Sequence, residues 1–385
     1  MTRWPAKPLL DVARLTRGTE PGTNAYTDPS RGIRFLRVGD VTGRSDNPIY
    51  TVSGELVMVG ADDLLLAVDG SPGYVSTGHV GAISSHLRRV EVLRPDELSI
   101  NWLRYALMSP TVQSVIQRHA RGTTTLLGTP ALKHIMVPIP PPADQGRLSS
   151  TLAGIESLVK LRIDAGSRSQ QIVPAFLDQL LAESGSASTD RRYEELDSLC
   201  SDVVDCPHST PQYAEATTAY PCLRSSDIQD GRIDLATAKY VEIHEYRART
   251  NRFTPLPGDV VYCREGARLG NAAIIPEKMT ACLGQRIMLL RPKPLVATGE
   301  FIWAVLNSPQ IRRQVASKVG GSASPHINVQ DVRTFKIPVL EYARQVQFAG
   351  QVREGHAVQT LQAGSLDRLQ DLFRLALRNA FEGDL

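Results

Sequence analysis

Chemistry by a protein alone needs nucleophiles, bases, metal ligands or phosphate cradles at set spacings, and these 385 residues offer few. No GxxxxGK[ST] loop occurs, so nucleotide hydrolysis has no visible cradle. Gly70-Ser71-Pro72-Gly73 has neither the spacing nor the helix of a nucleotide loop. No serine sits in a G-x-S-x-G elbow. Cys206-Pro207-His208 could supply two metal ligands, but a tetrahedral zinc site needs two more nearby and none is evident. The five cysteines, Cys200, Cys206, Cys222, Cys263 and Cys282, fit neither a disulfide framework nor a CxxC pair, and read as reduced structural thiols. The expectation is a protein without metal or catalytic centre of its own.

The elements around these residues are more informative. Residues 143–182 place Leu148, Leu152, Ile155 and Val159 on one helical stripe. The stripe blurs over Gly166 to Ser169 and resumes at Ile172, Val173, Phe176, Leu177, Leu180 and Leu181, with Pro174 predicting a kink or restart. Forty helical residues span roughly 60 Å, a rod rather than the core of one small domain. A second rod over 342–381 carries Val346, Ala349, Val352, Leu366, Leu369, Phe373, Ala376 and Ala380. Each rod follows prolines (Ile139-Pro140-Pro141-Pro142, Ile337-Pro338) and has a glutamine near its start, Gln145 or Gln345. Stripes of this width suit antiparallel pairing of the two rods into a coiled coil.

The segments between the rods repeat each other. Leu36-Arg37-Val38-Gly39-Asp40-Val41 is answered by Leu223-Arg224-Ser225-Ser226-Asp227-Ile228, 187 positions later. Leu107-Met108-Ser109-Pro110 is answered by Leu306-Asn307-Ser308-Pro309, 199 positions later. The slow drift of the offset favours diverged copies. The expected fold is α+β: β-rich lobes over 1–142 and 197–340, helical stretches over 143–196 and 341–385. Within a lobe, runs such as Asp259 to Cys263 and Arg286 to Leu290 read as strands, followed by a helix over Ile100 to His119 or Gly299 to Lys318. The lobes each carry a net charge of +3, the helical stretches −2 and −1. That distribution suggests lobes that meet an anionic partner and rods that do not. No apolar run approaches the roughly 20 residues of a membrane span, and no signal-type segment opens the chain, so a cytoplasmic location is expected.

On these motifs the chain resembles the specificity (S) subunits of type I restriction–modification systems. Asp205-Cys206-Pro207-His208-Ser209-Thr210-Pro211-Gln212-Tyr213 is similar to the D-x-x-H-x-T-P-x-Y opening of many target recognition domains. Pro257-Gly258-Asp259 and Gly270-Asn271-Ala272-Ala273 resemble that family's PGD and GN-x-A segments, and Ala380 to Leu385 its A-F-x-G-x-L ending. The first lobe departs from the pattern: it has no counterpart of the Asp205 to Tyr213 motif. The resemblance implies two target recognition domains held apart by two long antiparallel helices. Each lobe would read half of a bipartite, asymmetric sequence in double-stranded DNA. Two methyltransferase (M) subunits, and through them a restriction (R) motor-nuclease subunit, would be the partners. This chain would bind no cofactor; S-adenosylmethionine would belong to the methyltransferase, and ATP with Mg to the motor.

Base and phosphate contacts call for Arg, Lys, Asn and small hydroxyl-bearing loops. In the first lobe the candidates are Arg37, Ser71, Tyr74, Arg121, Thr123, Thr124, Thr125 and Lys133. In the second they are His208, Ser209, Thr210, Arg224, Arg264, Arg268, Asn271, Ser322, Ser324 and His326. Two other readings compete. A stand-alone divergent DNA methyltransferase would draw on Asp46-Asn47-Pro48-Ile49-Tyr50, a faint likeness of an Asn-Pro-Pro-aromatic motif, but the second proline and a glycine-rich cofactor turn are missing. A coiled-coil scaffold or regulator with vestigial lobes would show no sequence preference for DNA.

Overall fold

The computed structural model describes residues 4–52, 54–120, 127–184, 192–319 and 325–382. The chain divides into two compact units, residues 1–163 with 364–385, and residues 164–363. Each unit thus contains one lobe and part of each rod.

In the first unit a four-stranded antiparallel sheet runs in the spatial order Ala13–Arg17, Leu87–Val92, Leu64–Ala67, Val75–Ser76. The second unit repeats that order with Cys200–Asp205, Ile287–Pro292, Val260–Cys263 and Ala272–Ile274. A second sheet in each unit contains one parallel pair, Phe35 beside Ala82 in the first and Cys222 beside Cys282 in the second. A ribbon, Ala6–Pro8 with Met136–Pro138, ties the start of the first lobe to its end; Tyr193–Glu195 with Lys336–Pro338 does the same in the second. The duplication expected from the motifs is therefore a duplication of topology.

One interior strand of each four-stranded sheet, Leu64–Ala67 or Val260–Cys263, is apolar at every position because both its faces are covered. Val260 and Tyr262 face a core shared with Phe301 and Ile302, whereas Val261 and Cys263 face a second core with Leu223 and Ile228. Leu64 and Leu66 part from Leu65 and Ala67 in the same way. Each lobe is three layers: helices, sheet, second sheet.

The single accessory helix expected in each lobe is in fact two, Ile100–Met108 with Pro110–His119, and Gly299–Leu306 with Pro309–Lys318. The break is written in the Ser-Pro pair. A residue before proline is pushed out of the helical region, and Ser109 and Ser308 are extended, with ψ of 146° and 155°. Their hydroxyls then cap the second helix, whose first position the proline suits.

The first rod runs from Pro142–Ser169 and restarts as Ile172–Ser184, with Pro174 in the opening turn, where its missing N–H has no helical partner to lose. The second rod, Tyr342–Glu382, is continuous. In the first unit, Leu148 and Leu152 share a core with Leu377, Ala380 and Phe381, and the Phe381 ring stacks on Trp102 at 4.3 Å. In the second unit, Val173, Leu177 and Leu181 share a core with Phe348 and Val352. Val346, expected on the apolar stripe, is 45% exposed, and Phe348 is buried in its place. The buried face passes through Gln345, Phe348, Ala349 and Val352, and position 346 lies about 100° around the helix from Gln345.

Two buried glutamines fasten the rods to the lobes. Gln145 Nε2 donates to the carbonyls of Glu97 (2.7 Å) and Pro140 (2.8 Å), while its Oε1 accepts from Ser99 N–H (2.8 Å). Gln345 repeats all three bonds with Val296, Leu340 and Thr298, at 3.1, 2.8 and 3.1 Å. Ser99 and Thr298 are themselves the caps of the accessory helices, so one side chain locks rod, loop and helix cap together. Gln345→Leu strands two carbonyls and one N–H in a dry site, and is expected to destabilise the second unit by about 2–4 kcal/mol. Chemical denaturation should show the lowered midpoint.

Candidate nucleic-acid interface

The loops at one end of each four-stranded sheet carry several of the polar residues that could meet a polyanion. In the first lobe they frame a cleft of about 480 Å³ whose lining includes Glu20, Tyr26, Phe35, Arg37, Asp69 and His86. Arg37 is held rather than free: its N–H and Nε both donate to Asp40 Oδ2, at 2.9 and 3.0 Å, and Nη2 donates to Ser45 Oγ and the Asn47 carbonyl. Arg34 donates to the other Asp40 oxygen at 2.7 Å. Burial alone would raise the Asp40 carboxyl, but the hydrogen bonds from Arg37 and Arg34 outweigh it and keep the group below its ordinary value. The next loop turns at Gly70, φ 68°, where Ser71 Oγ accepts from Arg44 (3.2 Å). Asp69 pairs with His86 at 2.9 Å. Tyr74 is exposed. Lys133 is also exposed, outside the lining of the cleft, next to His134, whose ring stacks on His119 at 5.0 Å.

The second lobe repeats this frame with other residues. Arg224 uses its N–H, Nε and Nη2 on the Asp227 carboxylate, between 2.7 and 3.1 Å. Gly266, φ 78°, turns the loop after the central strand. Arg264, largely buried, bonds Asp205 at 2.9 Å and pairs with Glu265 at 3.0 Å. His208 lies 3.6 Å from the other Asp205 oxygen, and His326 pairs by backbone with Glu265. The sequence candidates His208 and Arg264 thus converge on the Asp205 carboxylate, and Arg264 also pairs with Glu265, whose backbone bridges to His326. Arg268 reaches Gln229 at 3.1 Å. Thr210 is exposed. The Asn271 carbonyl accepts from Cys263 N–H at 2.8 Å, closing the turn between two strands. Arg121, Thr123, Thr124, Thr125, Ser322 and Ser324 lie outside the described residues.

Sequence reasoning missed Arg249. Its guanidinium, almost fully buried, donates to the carbonyls of Leu283 (2.8 Å), Ser209 (3.2 Å) and Pro207 (3.3 Å) and pairs with Glu245. It shapes the loop that carries His208, Ser209 and Thr210. The only local sequence signal is the pair of arginines in Arg247-Ala248-Arg249, which does not set Arg249 apart from a surface charge.

All five cysteines are buried with no disulfide, and burial pushes the Cys200 and Cys263 thiols up to about 12, which disfavours thiolates. Among the described residues no group of three or more His, Cys, Asp or Glu could hold a metal, and no helix is long and apolar enough to cross a membrane. What the loops can do is present oriented hydrogen-bond donors and acceptors to a ligand lying across them.

The Asp40 pairing has a pH signature. Its stabilising contribution is complete above the unfolded value of about 3.9 and fades as pH falls through the lower folded value. Asp40→Asn should therefore cost about 1.5–3 kcal/mol at neutral pH, with the difference from the parent protein closing only in strong acid. Thermal melts across pH 2–7 check both points.

No family model and no curated protein sequence matches the chain. Solved structures do. The S subunit of a type I restriction–modification system from M. genitalium matches with a TM-score of 0.57 at 16% identity, covering 99% of this chain and 96% of that one. A chain from work on the complex assembly and conformational transition of the type I R-M system also gives 0.57 at 16% identity, over 99% and 98%. The chain has the fold of the S subunits of type I restriction–modification systems.

Proposed function

We propose that this chain is the non-catalytic DNA-reading subunit of a methylation and restriction complex, each lobe taking one half of a bipartite, asymmetric target. The observation that carries the reading is the duplicated frame filled with different residues. Glu20, Asp69 and His86 border the first cleft, whereas Asp205, Glu265 and Arg286 stand at the corresponding end of the second sheet. Two copies of one scaffold with different polar faces suit a non-palindromic site, where identical subunits would require a palindrome.

On this reading the paired rods are a ruler between half-sites, for which readers about one DNA turn apart need roughly 34–36 Å. The rods also leave large apolar side chains exposed, Leu158, Leu161, Leu372 and Leu375 in the first unit and Val358 and Leu361 in the second. That surface supports docking of two methyltransferase subunits along the rods, with a restriction subunit joining through them. Methyl transfer and DNA translocation, with S-adenosylmethionine and ATP–Mg as their cofactors, are then the partners' work, in the cytoplasm.

When this chain is expressed with its methyltransferase, mapping of methylated bases should return a two-part motif interrupted by unspecified bases. Exchanging residues 197–340 for another such lobe should replace one half of the motif and leave the other intact. Deleting four residues within 153–160, about one helical turn, should shorten the gap or abolish assembly. A gap of unchanged length in an assembled complex would exclude the ruler.

A further inference from the structure

We infer that Arg286 is a specificity-determining residue of the second lobe, reading a guanine in its half-site. The inference rests on the DNA-reading function proposed above and adds the residue and the base.

Arg286 stands directly before the strand Ile287–Pro292 and has φ 69°. This left-handed region costs an L residue energy that glycine does not incur. Strain of this kind persists where the surrounding structure enforces it, and it concentrates at functional positions. The backbone carbonyl of Arg286 accepts from Arg264 N–H at 3.1 Å, which ties the strained residue to the central strand of the sheet.

The side chain is 64% exposed, in contrast to Arg264, which is 11% exposed between Asp205 and Glu265. Among the described residues its ion-pair partner is Glu265, at 3.9 Å, beyond hydrogen-bond distance. No hydrogen bond to another described residue engages its guanidinium, which lies beside Gly266, where a Cβ would come within 4.0 Å of Nη1. Gln285, the preceding residue, donates to the His208 carbonyl, so the Arg286 turn and the His208 loop meet. The result is a planar fork of donors with its backbone fixed, a carboxylate nearby to bias its orientation, and its donors unspent.

A phosphate contact does not need this arrangement, because a flexible lysine or arginine meets a phosphate from many directions. A guanine edge does need it: O6 and N7 accept from a guanidinium only when the fork lies in the base plane. The first lobe has a different donor at the corresponding point. His86 occupies it, its carbonyl accepting from Val68 N–H as that of Arg286 accepts from Arg264, and its ring pairs with Asp69.

The test compares Arg286→Gly and Arg286→Lys with the parent chain, each expressed with the methyltransferase, by mapping methylated bases. Glycine relieves the strained backbone, so R286G should melt at or above the parent temperature, and a loss of selectivity cannot then be blamed on unfolding. Both variants should relax one G·C position in the second lobe's half-site, by roughly 5- to 150-fold in discrimination, and leave the first half-site unchanged. Uniformly weaker methylation in R286G with an intact motif in R286K would mark a phosphate contact and overturn the assignment. So would a second half-site without a G·C pair, or one unchanged in R286G. A parent chain giving no two-part motif would overturn this inference together with the function on which it rests.

Discussion

A neutral side chain buried at the foot of each rod sets the geometry on which the rest depends. Gln145 and Gln345 are each 1% exposed and have their amide groups fully committed to backbone partners from two directions. A salt bridge in this position would tolerate sliding, because Coulomb attraction falls slowly with distance. Hydrogen bonds in a dry site do not: a shift of an ångström strands donors and acceptors that water cannot reach. The rod therefore leaves its lobe at one angle, and the same three bonds recur in both units. Fixed departure angles are what the proposed spacing role would require of these joints.

Beyond this shared joint the two units diverge where a rod passes its accessory helix. In the first, Arg104 and Tyr105 bind Glu156 on the first rod. At the corresponding place in the second, Trp303 meets His356 of the second rod edge-on at 4.9 Å. Burial, with Arg232 nearby, lowers the His356 imidazole below its usual value, which favours the neutral ring against the indole. Trp303 also donates to the Gly231 carbonyl at the tip of a tight hairpin, where Asp230 and Gly231 both have positive φ, as a two-residue turn of this kind demands. Arg232 then bonds Gln359, which donates to the Ser169 carbonyl at the end of the first rod's long helix. An ion pair and an aromatic contact have become alternative ways of filling the same seam.

The rods were legible because helical periodicity is a local signal, and so was the restart, because Pro174 cannot donate. The duplication was legible because its marks are turns and caps, whose residue types are set by backbone chemistry: Ser-Pro, Arg with Asp three residues on, glycine after a strand. What stayed hidden was set by partners distant in sequence. Nothing near Gln145 says that its amide will meet Ser99, and nothing near Arg249 says that three carbonyls will converge on it. The pairing of Ile33–Leu36 with Gly81–Ile83 was hidden for the same reason, since parallel neighbours are joined by long connections. In the loops, residue types singled out Arg37, Arg224 and Arg264, but the carboxylates that orient these arginines were read only as charges to be subtracted.

That subtraction bears on how such a lobe would work. Each carries a net charge of only +3, modest for a domain that would hold a polyanion. Arg37, Arg224 and Arg264 are all paired with carboxylates, which cancels much of their long-range attraction and leaves their direction fixed. Affinity from counterion release scales with the number of phosphates neutralised, and the lobes expose other cations for it, such as Arg247, Arg252, Lys278 and Arg313. Under the proposed function these three paired arginines would contribute more to selectivity than to the strength of binding. Donors oriented in this way would discriminate between ligands where a free charge would only attract.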